Sequence, residues 1–506
     1  MHRRDFPLSA EAAQRRSAAA PRGRIDALVG ERLKRLGIQP ARECSDAAFL
    51  RRAYLDAIGT LPTEVEARAF LADATPERRR ALVDQLLERE EFADYQAMRW
   101  CDILRVKSEF PINLWPNAVQ AYYHWVRACM RSGMPYDRFA RALLTASGSN
   151  FRVPPVNFYR AVQDRNPEEL ARAVALTFMG ARAEKWPKGR LAGMAAFFAQ
   201  IGFKRTDEWK EEILLFDPAA RRGGAAPVFP DGTKPRPAPG RDPRAVFADW
   251  LIAPRNAWFA RSVVNRVWYW LMGRGIVEEP DDIRPDNPPR NPALLAWLEH
   301  ELVAARYDLK HIYRVILTSA TYQQSSVPAS RHRDAQAELA CYPLRRLEAE
   351  VLIDALNQVT GTSESYSSAV PEPFTFIPEG QRAVRLADGS ITSPFLEMFG
   401  RPSRDTGLAS ERNNRPTAAQ SLHLLNSSHV RRKIERGPAI AALLRSGSGL
   451  RGIVEQLYLR VLSRFPTEEE RAVVEEHARD GKLTARDAAF DVAWALVNSP
   501  EFLYRH

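Results

Sequence analysis

Apolar positions recur every three to four residues along most of the chain, which is the signature of amphipathic helices. Between 24 and 38, Ile25, Leu28, Val29, Leu33 and Leu36 share one helical face, and Gly37 is placed to end the helix. Ser45-Asp46 opens a second helix carrying Phe49, Leu50, Tyr54, Leu55 and Ile58. Thr63 and Glu66 have the T-x-x-E spacing of a capping box and predict a helix over 64–72. The same periodicity predicts helices over 76–90, 91–106, 117–131, 167–179 and around 190–201. It resumes over 243–253, 256–272, 293–305, 308–319 and 343–360. Pro416-Thr417 starts another helix running to about 435, and two or three more close the chain. Weak alternation over 373–392 points to one or two short strands. The expected fold is mainly α, a two-lobed helical protein with at most one or two short β-hairpins.

Interruptions in the pattern suggest the organisation. Residues 217–243 crowd Gly and Pro together and read as a linker. The expected order is therefore a disordered lead-in (1–23), an N-terminal helical domain (24–216), the linker (217–243) and a C-terminal helical domain (244–506). Residues 145–157 and the five-proline stretch 279–292 read as loops. One repeat is visible. Tyr54-Leu55, Pro62-Thr63-Glu64 and Glu91-Phe92 return as Tyr458-Leu459, Pro466-Thr467-Glu468 and Glu501-Phe502. The unit is one helical hairpin used twice, and its simplest role is packing.

Composition narrows the class. With 45% apolar residues the chain is too hydrophobic to be disordered, and it lacks a run of about 18 apolar residues that would span a membrane. Cys44, Cys101, Cys129 and Cys341 are scattered, with neither a disulfide framework nor a C-x-x-C pair. The net charge of +11 is carried by Arg, since only 10 of the 73 basic residues are Lys. It is concentrated in 101–200, with a balance of +7, and in 401–450, with +6. Such regions could bind a polyanion, although a recognised nucleic-acid motif is lacking and nucleic acid is not the expected partner. Arg3-Arg4-Asp5-Phe6 is similar to a twin-Arg export signal, but no apolar segment follows, so a working signal peptide is not expected.

Long words in the correct order carry a family resemblance. Arg51-Arg52-Ala53-Tyr54-Leu55-Asp56, Gly59, Pro62-Thr63 and Phe70-Leu71-Ala72-Asp73 resemble the planctomycete cytochrome-C-associated domain, DUF1549. Ala248-Asp249-Trp250-Leu251, Val264-Asn265-Arg266-Val267-Trp268, Gly273-Arg274-Gly275-Ile276-Val277, Ser319-Ala320-Thr321-Tyr322, Arg345-Arg346-Leu347-Glu348-Ala349-Glu350 and Leu424-Leu425-Asn426-Ser427 resemble its usual partner, the planctomycete surface-protein domain, DUF1553. The resemblance implies a periplasmic or cell-envelope protein of an environmental bacterium, of a family without an established biochemical role. Many members carry a C-x-x-C-H-like word before the segment Ala195-Ala196-Phe197-Phe198. Here Gly180-Ala181-Arg182-Ala183-Glu184-Lys185-Trp186 takes its place, so covalent haem is not expected, nor any other cofactor.

Several constellations could carry chemistry. Asn265 and Arg266 interrupt an apolar helix, and a buried Arg needs a partner such as Asp281, Asp282, Glu348, Glu350 or Asp354. Arg345 and Arg346 lie beside these acids in sequence. The segment 400–417 presents Arg401, Arg404, Arg412 and Arg415 with Glu411 and Asn413, a set suited to clamping a carboxylate or sulfate. Trp209-Lys210-Glu211-Glu212 reads as a charged helix face. The acidic loop 278–287 lacks calcium-loop spacing, and His311, His423 and His429 read as structural or exposed rather than as zinc ligands, so no metal is expected. Ser147-Gly148-Ser149 and Asp388-Gly389-Ser390 read as turns. The leading expectation is an extracytoplasmic protein that binds a ligand or partner, an anionic glycan or a co-exported protein, through Asn265, Arg266, Asp281, Asp282, Arg345, Arg346, Glu350, Arg401, Arg404, Glu411 and Asn413. The alternative is a polysaccharide-active enzyme drawing paired carboxylates from Asp281, Asp282, Glu348, Glu350 or Glu411. Which residues would be catalytic is open.

Overall fold

Local signals place most helix ends where the pattern puts them. In this computed structural model, which describes residues 23–219, 225–236 and 240–506, helix Arg24–Leu36 ends on Gly37 at φ +66°. Ser45 caps Asp46–Ala57 through the backbone N–H of Ala48. The capping boxes of Thr63 with Glu66 and Thr467 with Glu470 both form, opening Glu64–Ala72 and Glu468–Asp480. Thr417 with Gln420 forms a third, and the helix expected to run to 435 breaks at Ser427 into Ala418–Asn426 and Ser428–Arg436. The protein is mainly α. No described helix is long and apolar enough to cross a membrane. All four Cys are buried free thiols. The expected lead-in lies outside the described residues except for Gly23, as do 220–224 and 237–239 of the linker.

By their internal contacts the described residues gather into two compact units, each drawn from separate stretches of the chain. One compact unit gathers the described residues up to Leu87 with Arg314–Glu364 and Asn414–His506, and the other gathers Glu88–Tyr313 with Ser365–Asn413. In the first unit the two ends of the chain meet. Strand Arg345–Arg346 pairs antiparallel with Tyr504–Arg505. A helix of each repeated hairpin meets the other, with Arg68 of Glu64–Ala72 bonded to Glu455 of Gly449–Leu462 at 2.8 Å. At its centre the fully buried Asp56 accepts hydrogen bonds from the hydroxyls of Tyr322 (2.8 Å) and Tyr342 (2.7 Å). Arg345 and Arg505 each reach the same carboxylate at 3.0 Å.

The second unit is built on helices Glu90–Ile103, Pro116–Arg131, Tyr136–Thr145, Pro243–Leu251 and Phe259–Met272. Its core is aromatic, with Trp100 against Tyr136, Phe139 and Trp270. The sheet in this unit falls where none was expected. Ile201–Arg205 and Glu212–Phe216 form a hairpin, and Gly148–Ser149 adds a short third strand. Trp209-Lys210-Glu211-Glu212 is therefore the tip of a hairpin and not a helix face. The strands expected over 373–392 reduce to one isolated bridge between Ser367 and Thr392.

Candidate functional site

Three segments of the second unit meet around a group of aromatic rings. The first is the loop 107–115, folded back on itself by the N–H groups of Leu114 on the Lys107 carbonyl (3.2 Å) and Trp115 on Ser108 (3.3 Å). Trp115 then sits at φ +73°, ψ +146° immediately before Pro116. A side chain in that region of backbone space costs about 1–3 kcal/mol, which the surrounding structure must offset. The second segment is the hairpin tip. Lys210 turns the chain at φ +61°. Glu211 accepts hydrogen bonds from the hydroxyls of Ser149 and Thr206, and Asn150 accepts from the Glu212 N–H at 2.9 Å. The third is the loop 365–376, joined to the first by the Glu109 carboxylate, which accepts from the Ala369 N–H at 3.3 Å.

The rings themselves form a triangle. Trp115 and Trp209 meet edge to face at 4.7 Å between centroids, and Phe374 lies 5.5 Å from Trp115 and 5.2 Å from Trp209. The Lys210 ammonium stands 4.9 Å from the Trp115 ring centre and 5.6 Å from that of Trp209. Packing of this kind is ordinary in a core, but here it is at the surface. Trp209 is 58% exposed and Phe374 44%, and Phe110 and Phe376 on the same loops are exposed as well. Apolar surface left open at several neighbouring positions marks a contact site. Glu212 ties the hairpin to the body through Arg160 (2.9 Å) and Arg165 (2.8 Å). Burial disfavours its charge, yet the Arg160 hydrogen bond and the Arg165 charge outweigh that and hold its pKa below the ordinary value.

Three arginines of the Arg-rich segment, Arg401, Arg404 and Arg412, turn toward the body of this unit. Arg401 donates to the carbonyls of Asp388 (3.0 Å) and Ile391. Arg404 is fully buried, donates to the Ala387 carbonyl at 2.7 Å and binds Asp102 at 2.8 Å, and Arg412 takes the other oxygen of Asp102 at 2.7 Å. Asp388-Gly389-Ser390 is the expected turn, and it holds the first loop, because the Asp388 carboxylate accepts from the Ser108 N–H at 2.9 Å. Glu411 accepts from Ser403, Asp405 and Thr406. Burial raises its pKa, but these donors prevail and leave it below the ordinary value. Asn413 is exposed, and its N–H bonds the Gly400 carbonyl at 3.1 Å. Gly400, at φ +84°, admits no side chain, since a Cβ would lie 1.8 Å from the Asn413 carbonyl oxygen.

The remaining residues singled out in the sequence are interior. Arg266 and Asp281 form an ion pair of 2.8 Å in which neither side chain is exposed. Arg266 also donates to the carbonyls of Thr177 (2.7 Å) and Leu176 (3.1 Å). Asn265 exchanges two hydrogen bonds with the backbone of Val277, and a Cβ on Gly275 would lie 2.0 Å from the Val277 carbonyl oxygen and 3.1 Å from the Asn265 amide. Asp282 binds Lys185 at 3.0 Å and Arg284 at 3.2 Å. In the first unit Arg345 joins the Asp56 group, Arg346 donates to the Asn414 carbonyl at 3.2 Å, Glu348 binds Arg505, and Glu350 is fully buried. The eleven residues thus fall in two units and serve mainly as internal ties. The aromatic group was missed by sequence reasoning, whose only available signal was Trp209 beside Lys210 in a short polar stretch.

Two family descriptions match the chain. The one for PSCyt2, a protein of unknown function (DUF1549), matches residues 24–185. The one for PSD1, a protein of unknown function (DUF1553), matches residues 243–478. This is a DUF1549–DUF1553 protein. No curated protein and no solved structure matches it. The DUF1549 match contains the loop 107–115, and the DUF1553 match contains Phe374 and the Arg-rich segment. The hairpin that brings Trp209 to them lies in the sequence between the two matches.

Proposed function

We propose that this DUF1549–DUF1553 protein binds acidic polysaccharide, with Trp115, Trp209 and Phe374 as the platform for sugar rings and Lys210 as the partner of a carboxylate or sulfate. The observation that carries this reading is the open aromatic triangle with a cation on it. A pyranose ring presents a face of C–H groups whose hydrogens are weakly positive, and an indole face is negative, so the two stack. The loop backbone holds Trp115 in a strained conformation, so the ring is positioned before any ligand arrives, which lowers the entropic cost of binding. The role suits a protein of the cell envelope, where polysaccharide is the surrounding material.

Affinity electrophoresis of the full chain against alginate, heparin and amylose tests the proposal. Retardation by an acidic polymer is expected, with amylose weaker. Trp209→Ala should cost about 2 kcal/mol, or ~30-fold in affinity, as central aromatic contacts do. Lys210→Ala should reduce binding to the acidic polymers more than to amylose. Absence of retardation by any of the three, or equal retardation of Trp209→Ala and the unaltered protein, overturns the reading.

A further inference from the structure

The helix break at Ser427 brings together two side chains that lie six apart in the chain. His423 is in the last turn of Ala418–Asn426, and His429 is in the first turn of Ser428–Arg436. Ser427 serves both helices, since its N–H bonds the His423 carbonyl at 3.0 Å and its hydroxyl accepts from the Val430 N–H at 3.3 Å. The two imidazoles therefore face each other, with His423 Nε2 3.3 Å from His429 Nδ1. On its other side, His429 Nε2 lies 2.9 Å from the Glu364 carboxylate. Glu364 is itself held by Lys433 at 3.1 Å, and Lys433 is fixed by Asn357 Oδ1 and the Ser363 carbonyl, both at 2.8 Å.

We infer that His423 and His429 chelate a zinc ion, with Glu364 as the carboxylate that orients His429. Two independent features of the geometry support this. The first is the nitrogen separation. With Zn–N bonds of about 2.0–2.1 Å, tetrahedral coordination sets two ligand nitrogens about 3.3–3.4 Å apart, whereas right-angled coordination sets them about 2.9 Å apart. The 3.3 Å between the two nitrogens lies in the tetrahedral range, so an ion can join them with little movement of either ring. The second is the carboxylate. A metal-binding imidazole commonly donates its other N–H to a carboxylate, which fixes the tautomer. When the His429 Nε2–H donates to the Glu364 carboxylate, 2.9 Å away, the Nδ1 lone pair is the one directed toward His423.

Binding balances simply. The His423 proton passes from Nε2 to Nδ1 through water, both rings remain neutral, and two Zn–N bonds replace the hydrogen bond between them. Among the described residues, no group of three or more His, Cys, Asp and Glu surrounds a common point, so the protein fills two positions. Water fills the other two, and both imidazoles are partly open to it. This inference is independent of the aromatic platform, which belongs to the other unit.

Titration calorimetry of the full chain with zinc chloride at pH 7.5, checked by circular dichroism of each variant, tests the site. One zinc per chain is expected. His423→Gln or His429→Gln should abolish it, and Glu364→Gln should weaken it about 10- to 100-fold. His332→Gln, at an exposed position outside the cluster, should leave it unchanged. Anomalous scattering from zinc-soaked crystals of the unaltered protein supplies a readout that needs no variant, with a metal peak expected between the two nitrogens. No zinc uptake, uptake that persists in both His variants, or a peak elsewhere overturns the inference.

Discussion

Removing one member of the buried Arg266–Asp281 pair should have a large and diagnostic effect. In Asp281→Ala, Arg266 keeps its carbonyl partners but loses the Asp281 carboxylate in a fully buried place. Leaving a buried charge without its counter-charge costs about 3–5 kcal/mol. The variant also removes the acceptor for the Ala409 N–H, which adds part of the roughly 1–3 kcal/mol cost of an unsatisfied buried donor. A total near 5 kcal/mol is expected, because neighbouring losses are not fully additive. Urea unfolding followed by tryptophan fluorescence reads this unit almost alone, since ten of the eleven Trp lie within it. At a slope of about 3 kcal/mol per M the midpoint should fall by more than 1 M. Arg266→Met with Asp281→Leu should recover at least half of the loss, because exchanging both members for apolar groups removes the unpaired charge. A fall of less than about 0.3 M for the single variant, or a double variant worse than the single, would refute the reasoning.

Three further outcomes follow from the same geometry. Glu212 has a folded pKa below the ordinary glutamate value of 4.5, so its stabilising contribution is present above that value and is lost as pH falls through the lower folded value; Trp209 emission should change in that acid range, and Glu212→Gln should show the altered emission already at neutral pH. Thr467→Ala removes the acceptor for the Glu470 N–H and should cost about 1 kcal/mol in thermal denaturation, and Thr467→Ser should restore most of it. Arg105 is buried, its pKa is pushed down to about 10 by that burial, and its Nε and one Nη have no hydrogen-bond partner among the described residues, so Arg105→Met should raise the urea midpoint rather than lower it.

The helices were legible because their ends carry local chemistry. Ser45, Thr63, Thr467 and Gly37 act on backbone groups within a few residues of themselves, so sequence spacing is enough to reveal them. The 201–216 hairpin was not legible. Each strand has only five residues, the first contains Gly202, and the turn uses Lys210 in the left-handed region in place of an Asn-Gly pair. The opposite error over 373–392 has a related cause, since Pro373 and Pro378 remove N–H donors that a ladder requires. Once the hairpin was missed, the platform could not be seen. Trp115, Trp209 and Phe374 are remote in sequence, and only that hairpin places the second beside the first. The spatial units were hidden for a similar reason, because pairings such as Arg345 with Arg505 leave no local trace.

The excess of Arg over Lys acquires a physical meaning that the net charge alone conceals. Helix C-terminal turns and irregular backbone leave carbonyl groups without partners of their own, and a buried carbonyl must find a donor. Arg51 serves Val461 and Phe502 in this way, Arg244 serves Ala146, Arg266 serves Leu176 and Thr177, and Arg404 serves Ala387. A guanidinium can do this because its fork spans several acceptors, whereas an ammonium is a compact point donor. Arg404→Lys therefore separates two explanations of the basic segment. If Arg404 acts as a surface cation for polyanions, Lys should preserve binding and stability. If it acts as a fork between Asp102 and Ala387, the Lys variant loses at least one hydrogen bond to a charged group, about 1.5–3 kcal/mol, while the polysaccharide binding proposed for the platform is untouched. The expected result is a lowered urea midpoint with unchanged alginate retardation of the folded protein. An unchanged midpoint in Arg404→Lys, together with lost retardation in Arg404→Ala, would return the Arg-rich segment to the role its charge first suggested.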